Sequence, residues 1–204
     1  MFRSRTIGNM TISMRRIAAA SATVCMMTMS LSACTPPGKA VGDTQERQPD
    51  VAFDGLDRGD VVIGFIGSDQ PDFDAVVLQA FDKAGLRTSY VSIENVDNPI
   101  DAAQQGVRDM ASRQVAIILI SRIDATTQAA GWDEALGDVR ESGIPVALLN
   151  ALALPDDDTL YAAALTINDR AATTSGIDDA VMTIIDDLPH DKDMMVTTLI
   201  DDGQ

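Results

Sequence analysis

After residue 60 the hydrophobic positions change period repeatedly along the chain. Val61-Val62-Ile63-Gly64-Phe65-Ile66 is a continuous apolar run, the pattern of a strand buried on both faces. Pro71 to Ala84 then sets Phe73, Val76, Val77, Ala80, Phe81 and Ala84 at helical spacing, and Gly85 supplies a C-terminal cap. Thr88 to Glu94 alternates, with Val91 and Ile93 on one side, as an edge strand does. Asn98-Pro99 starts a second helix with its stripe at Ile100, Ala103, Val107 and Met110. Val115 to Ile120 is the most apolar run and predicts the central strand. A helix over about 127–141 buries Trp132, Ala135, Leu136 and Val139, and a fourth strand covers Ile144 to Leu149. A fifth strand is expected near 161–167, a last helix over about 170–188, and a final strand at Met194 to Ile200.

Strands alternating with amphipathic helices imply right-handed crossovers and a parallel sheet covered on both faces. The expected fold class is therefore α/β: one three-layer, doubly wound, mostly parallel sheet in the order 2-1-3-4-5. The alternating second strand takes the edge, beside solidly apolar first, third and fourth strands.

The first 33 residues differ in kind. They hold four bases, Arg3, Arg5, Arg15 and Arg16, and no acid, followed by a small-residue apolar run from Ile17 to Leu31. Such a start predicts a secretory signal. Leu31-Ser32-Ala33-Cys34 resembles a bacterial lipobox, which implies lipidation of Cys34 as the first mature residue. Acyl chains contribute about 0.8 kcal/mol per buried CH₂, so more than one gives a lasting membrane anchor. Residues 35–59 mix Pro, Gly and charge without a sustained apolar period, and the pattern predicts a flexible tether, with Val51, Phe53 and Leu56 as places for local docking. The expected division is a signal at 1–33, a tether at 34–59 and the α/β lobe at 60–204.

Charge narrows the partners. The 204 residues carry a formal charge of -16, which becomes -20 once the four bases of the signal are removed. A nucleic-acid partner is not expected, because neutralising phosphates requires a surplus of Lys and Arg. One His and two Cys in the whole chain argue against a zinc site or a Cys/His catalytic pair. Glycine-rich phosphate loops of the dinucleotide and Walker kinds do not occur, and neither does G-x-S-x-G. The runs Asp156–Asp158, Asp186-Asp187 and Asp201-Asp202 lack calcium-loop spacing. A receiver-type domain would need an Asp where strand three ends in Ser121. His190, in a Pro-His-Asp-Lys loop, is expected to be solvated. No enzyme activity, metal or cofactor is expected.

Ligands of open α/β sheets bind beyond the carboxyl ends of the strands, where strand order reverses. There the chain places Ser68-Asp69-Gln70 after strand one, Ser121-Arg122-Ile123-Asp124 after strand three, Asn150 after strand four and Asn168-Asp169 after strand five. Phe73 offers a ring face at the start of the first helix. This donor-and-acceptor set suits a polyhydroxylated ligand. The bland alternative is that Asp69, Asp124 and Asp169 cap helices and turns.

VVIGFIGSDQPDFDAVVLQAFDKAG, Gln104/Gln105, VAIILISRID and GIPVALLN form an ordered series over residues 60–170. The series resembles the N-terminal lobe of type I periplasmic sugar-binding proteins, the substrate receptors of ABC importers. The resemblance implies a sugar-like ligand and an ABC permease as partners. It matches Asp69 and Phe73 to the polar and aromatic pair after strand one, and Ser121, Arg122 and Asp124 to the loop after strand three. Asn150 falls on the polar residue closing strand four, where the family has Asp more often. Asn168-Asp169 reverses the family's usual Asp-Asn order. By the same resemblance the second lobe is expected to be missing, with Met194 to Ile200 matching only its opening strand. The expectation is a lipid-anchored, extracytoplasmic solute-binding-type lobe for a sugar-like ligand, truncated or degenerate. Its rival is an interaction or scaffold lipoprotein that keeps the fold without binding a small molecule. If the final strand joins this lobe's own sheet, the domain is self-contained.

Overall fold

The computed structural model describes residues 36–45, 55–171 and 174–200, all within one unit, Cys34–Gln204. The signal, Cys34, Val51 and Phe53 lie outside the described residues.

Among the described residues seven strands form one all-parallel sheet: β1 (Val62–Ile66), β2 (Arg87–Val91), β3 (Ile117–Ser121), β4 (Val146–Leu149), β5 (Ala163–Ile167), β6 (Ser175–Gly176) and β7 (Asp193–Thr197). Their order is β2-β1-β3-β4-β5-β7-β6. The expected order of the first five strands is present, and two more strands extend the sheet beyond β5. Four α-helices among the described residues cover it: α1 (Pro71–Lys83), α2 (Pro99–Ser112), α3 (Ala129–Glu141) and α4 (Ile177–Ile185).

Side-chain alternation along each strand divides the core in two. Ile63, Phe65, Ile117 and Leu119 point to one face and pack with Val77 and Phe81 of α1 and Val181 and Ile184 of α4. Ile118, Ile120, Val146 and Leu148 point to the other, against Val107 and Met110 of α2 and Trp132, Leu136 and Val139 of α3. Burial on both faces is why β1, β3 and β4 are continuous apolar runs, whereas β2 pairs only with β1 and is half exposed.

The end of the chain departs most from expectation. The last helix begins at Ile177 and not near residue 170, because side chains capture the backbone before it can coil. Asn168 Oδ1 accepts from Arg170 N at 3.2 Å, and Asp169 accepts from Thr198 N at 2.7 Å. Ser175 and Gly176 then pair with β7. β7 itself pairs in parallel with β5, Thr166 opposite Met195 and Ile167 opposite Val196, so the final strand completes this sheet.

The segment expected to be a free tether is docked in part. Ala40 is only 2% exposed, and Arg140 donates to Pro36 O at 2.8 Å and to Lys39 O at 3.1 Å. Leu56 is exposed, but its backbone N–H donates to Asp186 at 3.1 Å. His190 is not merely solvated either: its Nε2 lies 2.8 Å from Gly42 O and its backbone N–H donates to Thr44 O. Proline, glycine and charge in this stretch mark an irregular backbone, and the domain supplies partners for that backbone.

Candidate functional site

Adjacent strands β1 and β3 send their chains to opposite faces of the sheet, β1 into α1 and β3 into α3. The two connections part and leave a crevice at the carboxyl edge. A cleft of about 240 Å³ lies there, floored by Gly67, Ser68, Ser121 and Arg122 and walled by Ile93, Ile100, Trp132 and Leu152. Ser68, Asp69, Ser121, Arg122 and Asp124 all line it. Phe73, Asn150 and Asp169 do not.

Much of the floor is organised by a residue the sequence reading did not single out. Asp74 of α1 is 0% exposed, and no basic side chain pairs with it among the described residues. It accepts from Ser68 N at 2.6 Å, Ser68 Oγ at 3.0 Å, Ser121 Oγ at 2.8 Å and the Tyr90 hydroxyl at 3.2 Å. Burying a carboxylate this way is tolerable only because several donors converge on it. Burial, and then the Asp74 charge, push the Tyr90 phenol up, which keeps it a donor. The cluster ties the ends of β1, β2 and β3 together. A Cβ on Gly67 would stand 2.5 Å from the Tyr90 hydroxyl, so the close approach requires glycine there. The signal for Asp74 was available: it sits three residues before Val77 and seven before Phe81, a charge on the buried stripe of α1.

Ser68 and Ser121 therefore serve the protein first, with their hydroxyls directed at Asp74. Asp124 is similarly engaged, accepting from Thr126 N at 3.0 Å, Thr126 Oγ1 at 2.5 Å and Thr127 Oγ1 at 3.1 Å. Those hydrogen bonds, Thr126 first and then Thr127, hold its carboxyl below the usual range. Asn150 Oδ1 accepts from Ile167 N at 2.9 Å, and Asn150 sits at φ +46°, a left-handed conformation that asparagine tolerates. Asp169 is held by Thr197 Oγ1, Thr198 N and Thr198 Oγ1 and lines a different hollow, beside β6. Phe73 turns to the core under α1 and α4.

Asp69 and Arg122 remain. Arg122 Nε donates to Asp69 at 3.4 Å, and this is the only hydrogen bond of the Arg122 side chain among the described residues. Arg122 holds φ at +53°, a left-handed conformation that is costly for a long side chain. Trp132, 3% exposed, adds an aromatic wall whose Nε1–H has no hydrogen-bond partner among the described residues. The cleft thus offers the Arg122 guanidinium and the Asp69 carboxylate, with the Thr-bound Asp124 carboxylate beside them, above an apolar bed, which suits a small ligand with both hydroxyl-rich and apolar faces. Among the described residues no cluster of His, Cys, Asp or Glu has the grouping to hold a metal ion, and no helix is long and apolar enough to cross a membrane.

Fold and crevice together define a doubly wound α/β lobe with an open cleft at the strand-order reversal. Solved structures similar to it include the periplasmic binding component of the arabinose ABC transporter of Shewanella sp. ANA-3, at 18% identity and a TM-score of 0.42 over 52% of this chain and 34% of that one. A galactofuranose-binding protein matches at 23% identity and a TM-score of 0.44 over 53% of this chain and 36% of that one. An ABC transporter solute-binding protein of Bacillus halodurans, solved with myo-inositol, matches at 16% identity and a TM-score of 0.41 over 69% and 58%. The chain thus spans about a third of the length of the first two. No protein-family profile and no curated protein matches it.

Proposed function

We propose that the chain is a lipid-anchored, extracytoplasmic solute-binding-type lobe that takes a small, sugar-like ligand at the cleft between β1 and β3 and works with an ABC permease. The observation that carries this reading is the Asp69–Arg122 pair at the reversal point, left accessible while the neighbouring polar groups are engaged internally. Its support in the sequence is the ordered series of motifs resembling type I periplasmic sugar-binding proteins, together with the lipobox-like ending at Cys34. We assign no catalytic step.

A second reading, an interaction lipoprotein, is favoured by exposed apolar side chains on the same edge. Leu152 is 60% exposed and Leu199 65%, on loops after β4 and β7. A protein partner would cover them.

The two readings separate in a thermal melt of residues 35–204 against mono- and disaccharides at millimolar concentration. A ligand at about 100 times its Kd adds about 2.7 kcal/mol, a readily visible shift. A selective shift that Arg122→Ala abolishes, with the ligand-free melt unchanged, supports the solute-binding reading. A cooperative melt that no sugar moves supports the interaction reading.

A further inference from the structure

The docked segment 36–45 bears on how the domain sits relative to a membrane. Every group that holds it lies at the amino edge of the sheet, the edge opposite the cleft. Arg140 is at the C-terminal end of α3, and Lys192 immediately precedes β7. Lys192 Nζ donates to Asp43 at 2.9 Å while also donating to the carbonyls of Asp158 and Tyr161, its ammonium 4.3 Å from the Tyr161 ring centre. His190 holds Gly42 and Thr44 from the loop between α4 and β7. Gly42 itself, at φ +78°, is wedged so closely that a Cβ would stand 2.9 Å from Pro145 Cβ and 3.0 Å from Ile184 Cγ2.

Pro36, whose carbonyl Arg140 holds, is two positions after Cys34. Two residues reach at most about 7 Å, whatever their conformation. A lipid on Cys34 is therefore attached almost directly to the amino edge and not through a long tether.

We infer that residues 36–45 are a strap that seats the amino edge of the domain on the lipid surface and points the cleft away from it. This rests on the lipid attachment at Cys34 proposed above. A five-residue strand rises about 17 Å, so the cleft stands at least that far above the seated edge.

The test uses the lipidated protein in phosphatidylcholine–phosphatidylglycerol vesicles. Cys25 leaves with the signal and Cys34 carries the lipid, so an added cysteine is the one free thiol. A fluorophore is placed through Ser142→Cys at the amino edge or Asp97→Cys at the carboxyl edge, both exposed. Quenching by a lipid with a nitroxide headgroup is then measured. The expected result is quenching at least threefold stronger at residue 142 than at 97, a difference that Gly42→Val or Arg140→Ala removes by releasing the strap. Equal quenching at the two sites with the strap intact overturns the inference. Should Gly42→Val lower the melting temperature steeply, Arg140→Ala carries the comparison. A protein whose intact mass lacks lipid, and which does not float with vesicles, overturns the anchoring and this inference with it. The sugar melt is independent of that outcome and tests the cleft separately.

Discussion

Replacing Asp74 with alanine removes the acceptor at the centre of the cleft floor. Four donors lose their partner: Ser68 N–H, Ser68 Oγ, Ser121 Oγ and the Tyr90 hydroxyl. They are not equivalent. Tyr90 is partly exposed and turns to water, and Ser68 Oγ already lies 3.5 Å from Gln70 O. Ser68 N–H and Ser121 Oγ sit in residues only 2% and 4% exposed and have nowhere to turn. Each buried orphan costs about 1–3 kcal/mol, so with two full orphans and a smaller penalty from the others the loss is about 3–5 kcal/mol. Asp74→Asn keeps the size and one acceptor oxygen but turns an NH₂ toward donors, which costs about 2 kcal/mol. Urea unfolding measures both, and the midpoint should fall while the slope stays constant, because the surface exposed on unfolding is unchanged. Hydrogen exchange at the Ser68 amide should accelerate in both variants. A loss below about 1 kcal/mol for Asp74→Ala would refute the argument, because it would mean that water already satisfies these donors.

The remaining expectations are more general. Phe81→Ala empties a fully buried position between α1 and the sheet and should destabilise by about 3–5 kcal/mol, read from the same urea curves. The acid limb of stability should depend on Asp169 and Asp43. Burial alone would raise both carboxyls, but hydrogen bonds from Thr198 and Thr197 to Asp169, and from Gln45 and Lys192 to Asp43, outweigh it and hold them low. Folded values below the unfolded one, about 3.9, mean that this stability is present above that pH and is lost as pH falls through the folded values. Melts from pH 6 down to pH 3 should drop less steeply for Asp169→Asn than for the unsubstituted protein, and an unchanged slope would show that Asp169 is equally acidic in both states.

The fold was legible because each element is specified by a short stretch of sequence. A strand buried on both faces must be apolar throughout, and a helix lying on a sheet must repeat its apolar positions every three or four residues. Val61 to Ile66 and Ile100 to Met110 meet these conditions without reference to the rest of the chain. The place of the cleft was legible too, since it follows from the order of those elements. The role of each polar residue was harder to see. Ser68, Ser121, Asp124, Asn150 and Asp169 were all candidates for a ligand, and in the structure each one has a hydrogen-bond partner within the protein. The last helix starts later than its apolar pattern predicts for the same reason, because Asp169 takes its partners from Thr197, the end of β7, and from Thr198 just after it.

The sequence by itself determined the α/β class, the order of the first five strands, the edge position of β2 and the acidic character of the lobe, all of which depend on composition and local period. Tertiary structure alone decided that Asp74 anchors the cleft floor and that Asp69 and Arg122 are the accessible pair. It also decided that residues 36–45 form a strap. These outcomes depend on groups far apart in the chain, such as Asp74 and Ser121, 47 residues apart, and Lys192 and Asp43, 149 apart. A hydrogen bond between such groups exists only after the sheet has brought them within about 3 Å of each other, and no local pattern encodes that approach.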